Sequence, residues 1–561
     1  MYSDKTTVNV ITSMLIAKGV SKVVVCPGSR NIPLIHNFSE SQAIKCFSVT
    51  DERSAAFFAL GLSLACCQPV AVCVTSGSAL LNVAPAVAEA FYRHVPLVVI
   101  SADRPMEWID RQDGQTMIQF GALEKIVKRQ IDISDVAADD RIKLNHASLC
   151  LNATLNDCMN CEPGPVHINV HLDEPLFNFN TSRLPQSSDI QLIDNYSESC
   201  GKLNDKVLKS FIHSQNRMIV IGQLATHDIE LDKIVERLSR YFFVLCEPLA
   251  STAAVPFDSA LTVIGKKLEA ERIDLLFSLG GTFVSKRLKS ILRSAEVMEH
   301  YEINETGIPH DMFMHQTGVV KCSVKAFLQR LLTLADESLS EPDPMRALFM
   351  PSIKNVAVKI DEFIPPYSSL WAVKEFESSL HNVNYEAEVH YANSMAVRLA
   401  CLYANGRYVW CNRGINGIEG SVSTAAGFSL ASKSVVFCVV GDLSFFYDQN
   451  ALWNNHLRGN FRVMLLNNGG GNIFRRLKGL DCSSQSMPFI VGSHKTNARG
   501  ICEQNNICYL SATNREEFNI SLMHFLKESI ERPVVFEVFT DAVEDSMALD
   551  ALDEYINKHQ I

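Results

Sequence analysis

Apolar runs that stop abruptly at polar or glycine-containing segments alternate along this chain with stretches whose apolar residues recur every third or fourth position. The runs read as buried strands and the stretches as helices. Residues 8–18 have helical spacing and end at Gly19, a terminating glycine. Residues 22–26, 47–49, 70–75 and 97–102 read as strands, with helices predicted over 55–65 and 79–92. Each strand delivers a short polar segment: Pro27-Gly28-Ser29-Arg30, Asp51-Glu52-Arg53-Ser54, Ser76-Gly77-Ser78 and Asp103-Arg104-Pro105. Residues 166–170, following Pro163-Gly164-Pro165, read as the last strand of this unit.

The polar stretch 178–205 reads as a linker, after which residues 218–221, 242–245 and 275–279 are again buried strands with helical segments between them. The acidic, proline-containing stretch 337–344 closes this smaller unit. Beyond a helical connection, residues 407–410, 434–440, 462–466 and 534–539 predict a third sheet, with a short helix over 448–457. Regular alternation of strand and helix is the signature of parallel sheets covered on both faces. The predicted fold is therefore α/β, with three doubly wound parallel-sheet domains over 1–180, 200–340 and 355–561, the middle one smaller.

Length agrees, since 561 residues exceed what one ordinary core holds. A formal charge of −11 argues against a nucleic-acid partner, so any anionic small substrate has to be met by a local cluster of Arg and Lys. Residues 1–5 are polar, and no apolar run approaches the ~20 residues of a membrane span. The expected location is the cytoplasm, without membrane insertion. Seventeen cysteines, an odd number scattered through apolar runs, suit reduced thiols packed as small hydrophobes. Cys158 and Cys161 form the one C-x-x-C, and with no second pair or histidine at zinc spacing it reads as packing.

The most informative stretch runs from Gly441 to Phe474. The strand at 434–440 ends at Gly441-Asp442, and the strand at 462–466 runs into Asn467-Asn468 and three glycines. A carboxylate, an amide oxygen and a carbonyl in a glycine-rich turn are hard ligands, suited to an octahedral Mg²⁺ that completes its shell with phosphate oxygens and water. The other phosphate-binding signatures are missing: there is no G-x-x-x-x-G-K-[ST] and no G-x-G-x-x-G between a strand and a helix. Either half alone would be an ordinary strand end or turn. The pairing, about 26 residues apart, resembles the thiamine-diphosphate motif, and by that resemblance the metal ligands are Asp442, Asn468 and the Gly470 carbonyl, with Mg²⁺ or Mn²⁺ as the ion.

The strand-end segments form a recognisable set. CPGSR at 26–30, DERSAAFFALGL at 51–62, TSGSALLN at 75–82, SADRP at 101–105 with GQT at 114–116, NSMAVR at 393–398, NRGINGIEG at 412–420, GDLSFFYD and NNGGGNIF resemble the family of 2-succinyl-5-enolpyruvyl-6-hydroxy-3-cyclohexene-1-carboxylate synthases, thiamine-diphosphate enzymes of menaquinone biosynthesis. The likeness is dense in the first and third domains and thin in the middle one. It implies a pyrimidine-binding, a central and a diphosphate-binding domain, and a homo-oligomer, a dimer or dimer of dimers, with each site built between two subunits. The chain departs from the family at Asn31-Ile32, Ser78 and Asp113-Gly114.

The resemblance implies a transferase that joins 2-oxoglutarate to isochorismate with loss of carbon dioxide. It assigns Glu52 to the cofactor's aminopyrimidine nitrogen as the catalytic carboxyl group. A glutamate in the first turn of a helix also serves the helix dipole, and only its company with the Asp442 and Asn468 segments gives Glu52 the catalytic reading. Gln115, Ile418, Gly441, Leu443 and Ser444 join the metal ligands as cofactor contacts, Ile418 propping the bent cofactor. Ser29, Arg30, Arg104, Gln115, Lys286, Ser394, Arg398 and Arg413 are the expected substrate contacts, with Arg forks suited to carboxylates. Lys286 has Arg287 and Lys289 as neighbours able to take its place. Ile473, Phe474 and Leu477 are the expected apolar wall. Two other readings stay open on the residues: another thiamine-diphosphate carboligase or decarboxylase, such as an acetohydroxyacid synthase, and a non-catalytic paralogue that binds the cofactor.

Overall fold

The computed structural model describes residues 1–160, 162–186, 207, 210, 214–471, 473–474, 480 and 483–558. The first sheet contains β1 (Lys22–Val25), β2 (Lys45–Ser48), β3 (Val70–Val74), β4 (Leu97–Asp103), β5 (Arg129–Ser134) and β6 (Val166–His171), in the order β2-β1-β3-β4-β6-β5. The second contains β7 (Arg217–Ile221), β8 (Phe243–Cys246), β9 (Ile273–Leu279), β10 (Val297–Asn304) and β11 (Gln316–Lys321), in the order β11-β10-β9-β7-β8. The third contains β12 (Ala387–Tyr391), β13 (Val409–Trp410), β14 (Val435–Gly441), β15 (Phe461–Asn467), β16 (Cys508–Ala512) and β17 (Val534–Phe539), in the order β13-β12-β14-β15-β17-β16. All of these pairings are parallel.

The first and third sheets have one topology, strand for strand, although the hydrophobic pattern gives no sign of a repeat. Their centres obey the rule for parallel sheets, every residue of β3 and β4 and of Val435–Val440 being buried. The two units meet where helix Glu52–Cys66 crosses helix Ser421–Ala431. Glycines make that crossing possible. A Cβ on Gly61 would lie 2.0 Å from the Thr424 carbonyl oxygen, and one on Gly427 would lie 2.2 Å from that of Phe58. Gly427→Val is therefore expected to force the helices apart and lower stability by at least the ~1–3 kcal/mol of an overpacked core, read as a lower denaturant midpoint.

Five strands were not legible as apolar runs. β5, β11 and β16 are edge strands with half-exposed residues, β12 carries Glu388 and His390, and β10 carries Glu299, His300 and Glu302. The helix expected over 79–92 is two, Ser78–Asn82 and Ala84–Arg93, because Pro85 supplies no N–H to continue the first. The helix expected over 448–457 does not form. Instead a helix starts at Asp442 and ends at Tyr447, followed by a 3₁₀ turn at Gln449–Leu452. Asp448 cannot open a helix because its buried carboxylate is turned to the start of another, accepting from the Ser423 N–H at 2.7 Å and the Ser423 hydroxyl at 2.6 Å.

Most of the 178–205 linker, and Cys161, lie outside the described residues. The Cys158 thiol is fully buried, and burial pushes its pKa up to about 12, as expected of a packing thiol. No described helix is long and apolar enough to cross a membrane.

Candidate active site

In open parallel sheets ligands sit outside the C-terminal strand ends, at the point where the strand order reverses. Each sheet has one such point, between β1 and β3 in the first, β7 and β9 in the second and β12 and β14 in the third. The sequence motifs gather at the points of the first and third sheets.

Beside the point of the third sheet β14 and β15 are neighbours, so Asp442 and Asn468 emerge side by side. Asp442 is 3% exposed. Its Oδ1 accepts the Leu443 N–H at 2.7 Å, while Oδ2 accepts the N–H groups of Asn468 at 3.1 Å and Gly470 at 2.9 Å. Burial pushes this carboxyl group up, and those N–H groups, with His494 3.4 Å away, pull it back. The Asn468 Nδ2 donates to Asp545 at 2.8 Å, which orients the amide, and among the described residues no hydrogen bond reaches its Oδ1. Asp545 is itself fixed by Ser369 and Thr540. Gly469 (φ 77°) and Gly470 (φ 153°) take backbone conformations that other residues rarely adopt. The Gly469 carbonyl accepts the His494 N–H, and among the described residues no hydrogen bond reaches the Gly470 carbonyl.

This arrangement fits the expected metal. One carboxylate, one amide oxygen and one carbonyl are too few for a closed cage, and among the described residues no three His, Cys, Asp or Glu side chains gather to make one. A Mg²⁺ sharing its shell with a diphosphate needs only such an open set. Gly441, Leu443 and Ser444 flank Asp442 at the start of its helix. Phe474 lies against Gly471 and is 38% exposed, Ile473 is half-buried beside it, and Leu477 lies outside the described residues.

At the first point Glu52 opens its helix, capped by the Asp51 carboxylate on the Arg53 and Ser54 N–H groups. Glu52 is half-buried, accepts from the Asn82 Nδ2 at 3.2 Å, and its charge helps to raise the pKa of the buried Cys26 thiol. Arg30 is buried after β1, donating to the Leu172 carbonyl and to Glu174. Burial and the nearby Arg104 push its pKa down. Arg104 donates to the Gly114 carbonyl and pairs with Asp113 at 3.2 Å. Ser29 precedes Arg30, and Gln115, at φ 57°, lies against the 76–78 segment.

The remaining basic residues gather between the second and third sheets. Ser394, a non-glycine residue at φ 72°, starts helix Met395–Tyr403 and puts Arg398 one turn on, over the same face. Arg413 donates to the Asn393 Oδ1 and the Phe283 carbonyl, both at 3.2 Å. Arg413 adds its positive field to both Arg398 and Lys289, so burial and that repulsion lower the pKa of each. Of the three basic candidates after β9, Lys286 and Arg287 are exposed, Arg287 pairing with Asp258, and Lys289 faces Arg413. Ile418 follows on the same 411–420 segment, 40% exposed.

That segment is held from three sides. Glu89, in the helix Ala84–Arg93, accepts the N–H groups of Gly414 and Ile415, both at 2.9 Å. From the second unit Thr282 donates to the Arg413 carbonyl at 3.0 Å and Gln223 to that of Cys411 at 2.7 Å. Asn393 donates to the carbonyls of Asn412 and Gly417. Glu89 and Asp545 went unread in the sequence, where each is a single polar residue with no local pattern, and Asn393 and Asp448 stood in the NSMAVR and GDLSFFYD segments without these roles.

Residues 5–123 match the family described as thiamine pyrophosphate enzyme, N-terminal TPP binding domain. The 2-succinyl-5-enolpyruvyl-6-hydroxy-3-cyclohexene-1-carboxylate synthase of Bacteroides fragilis is 38% identical over 562 residues, covering 98% of this chain and 98% of the relative. That of Bacteroides thetaiotaomicron is 37% identical with 98% of each covered. The synthase of Porphyromonas gingivalis is 35% identical, covering 99% of this chain and 98% of its own length. With identity of this degree along nearly its whole length, the chain belongs to the 2-succinyl-5-enolpyruvyl-6-hydroxy-3-cyclohexene-1-carboxylate synthase family of thiamine-diphosphate enzymes.

Proposed function

We propose that this protein is a transferase that adds the four-carbon unit left by decarboxylation of 2-oxoglutarate to isochorismate in a 1,4 sense, with thiamine diphosphate and Mg²⁺ or Mn²⁺. The observation that carries the reading is the meeting of the β14 and β15 ends, where Asp442, Asn468 and Gly470 offer an open set of oxygen ligands beside the point of strand reversal between β12 and β14. Bound there, thiamine diphosphate supplies the carbon nucleophile and the sink for the electrons released with carbon dioxide. Asp442, Asn468 and the Gly470 carbonyl hold the metal, and Gly441, Leu443 and Ser444 line the diphosphate. Ile418 props the cofactor, Gln115 borders it, and Glu52 shares a proton with its ring nitrogen.

The second anion-binding region suits two polycarboxylate substrates. Ser29, Arg30, Arg104 and Gln115 belong to the first sheet, and Lys286, Ser394, Arg398 and Arg413 to the cleft between the other two. Ile473 and Phe474 supply an apolar wall, to which the family resemblance also assigns Leu477. In this reading residues 1–180 bind the pyrimidine, 200–340 form the central domain, and 355–561 bind the diphosphate. The exposed apolar residues Leu81, Ile118, Ile415, Ile418, Tyr447 and Trp453, all on segments next to the expected site residues, support a further step, in which a second copy covers them and Glu52 of one subunit serves the Asp442 site of the other. A cytoplasmic homodimer or dimer of dimers follows.

The test is consumption of isochorismate by the purified protein with 2-oxoglutarate, thiamine diphosphate and Mg²⁺, followed by absorbance and by the mass of the product. Condensation of pyruvate in place of 2-oxoglutarate would transfer the protein to the acetohydroxyacid-synthase reading. In the same assay Arg398→Ala and Arg413→Ala are each expected to raise KM for at least one substrate by about tenfold or more, the scale of a lost charge-assisted contact. Cofactor affinity stays unchanged. Normal KM values for both substrates in both variants would move the pocket elsewhere.

A further inference from the structure

The basic cluster has a buried carboxylate among its neighbours that no step of the reaction uses. Glu247 follows β8 and is 2% exposed. Its Oε2 accepts the Val284 N–H and its Oε1 the Ser285 N–H, both at 2.8 Å. Both oxygens are thus spent on one short backbone segment, 283–285. That segment has two outputs. The Phe283 carbonyl receives the Arg413 guanidinium, and Ser285 caps helix Lys286–Ser294, its hydroxyl accepting the Leu288 N–H at 3.0 Å and donating to Asp258. One residue earlier, the Thr282 hydroxyl holds the Arg413 carbonyl at 3.0 Å.

A carboxylate so placed does not stabilise a fold cheaply, because removing it from water costs several kcal/mol that two N–H groups offset only in part. A neutral amide would cost less to bury, but it offers a single acceptor oxygen and would turn an NH2 group toward one of the two N–H groups. What the charge adds is a field on the cations around it. The charge of Arg413 favours its ionised form, and the charges of Lys289 and Arg398 also feel it.

We propose that Glu247 is a positioning residue of the substrate pocket, fixing the 283–285 backbone so that Arg413 and the start of the Lys286 helix meet a dianionic carboxylate substrate in set positions. The proposal rests on Arg398 and Arg413 being the anion-binding groups, as read above. It predicts a pH dependence. The groups facing Glu247 are Arg413 from the segment after β13, Asp258 from helix Phe257–Ala270, Lys289 from helix Lys286–Ser294, Arg398 and Cys401 from helix Met395–Tyr403, with Cys246 and Cys411 beside it. Burial raises the Glu247 pKa to about 7, against the pull of Val284, Ser285 and Arg413. Above that value the carboxylate accepts both N–H groups. Below it, a hydroxyl hydrogen faces one of them and the segment is released.

The test compares Glu247→Gln with wild type as holoenzyme, turning over 2-oxoglutarate and isochorismate at pH 8 and pH 6. The expected result at pH 8 is a KM for one substrate raised about tenfold, with kcat within about twofold and unchanged calorimetric affinity for thiamine diphosphate. At pH 6 the ratio of variant to wild-type KM shrinks toward one, because wild type has then lost the same charge. A merely structural glutamate would instead lower kcat per total protein at constant KM, and that outcome overturns the proposal. So does a KM ratio that is the same at both pH values. If Glu247→Gln does not fold, Thr282→Val removes a single contact to Arg413 and is expected to raise the same KM about threefold. An unchanged KM there overturns the proposal equally. Wild-type protein that does not turn over the pair refutes the proposed function itself, whereas wild-type turnover with an unaffected variant refutes only the role of Glu247.

Discussion

Asp442→Ala is expected to abolish binding of thiamine diphosphate in magnesium buffer, seen by calorimetry as loss of the binding heat. Two physical effects act in the same direction. The variant loses the one carboxylate in the ligand set, and it frees the Asn468 and Gly470 N–H groups that Asp442 Oδ2 holds. The turn that presents the Gly470 carbonyl then loses its anchor. The loss should exceed the ~10–100-fold that removal of an outer partner of a metal ligand brings. Asp545→Asn provides that milder comparison, since Asp545 orients the Asn468 amide without standing among the ligands. Wild-type protein that binds the cofactor equally well with and without Mg²⁺ would remove the metal from the site.

Glu52→Gln is expected to leave cofactor binding intact and to lower kcat by about 10²–10⁴-fold, the usual range for removing one positioned acid or base. The amide keeps the size of the side chain and some hydrogen bonding to the ring nitrogen, but it cannot exchange a proton with it. KM should change little, because Glu52 is assigned to the cofactor ring and the substrate carboxylates to other side chains, Arg398 and Arg413 among them. The shared-site proposal adds a sharper test. Glu52→Gln and Asp442→Ala are each inactive alone, yet subunit exchange between them leaves a mixed dimer with one site in which both residues are intact. Partial recovery of activity is expected on mixing. Wild-type turnover by Glu52→Gln would end its catalytic role, and dead mixtures after verified exchange would end the sharing of sites.

The sequence was readable wherever the chain is buried along a continuous run. β14 and β15 could be drawn as 434–440 and 462–466 because both faces of those strands are covered, leaving polar residues only near their ends, Arg462 and Asn467 in β15. β16, with most of its residues half-exposed, lacks that signal, as does β12 with its glutamate and histidine. The metal-ligand pair was legible because both members stand at strand ends within one motif. Their supports were not. Asp545 lies 77 residues from Asn468, and Glu89 lies 325 residues from Gly414. Contacts that span such distances leave no local periodicity. Glu247 follows a buried strand as Asp442 does, but without a second residue type to pair with, its position could not be told from an ordinary turn.

The three-sided grip on the 411–417 segment has a consequence for how such a chain can be recombined. Glu89, Gln223, Thr282 and Asn393 all bind that segment through its backbone N–H and carbonyl groups. Backbone contacts tolerate changes of side chain but not of chain length. A middle unit transplanted from a distant relative can therefore bring a different surface, provided that its loop after β9 has the same number of residues. One residue more or fewer would shift the Phe283 carbonyl away from Arg413 and leave a chimera that folds and holds its cofactor but no longer grips the substrate.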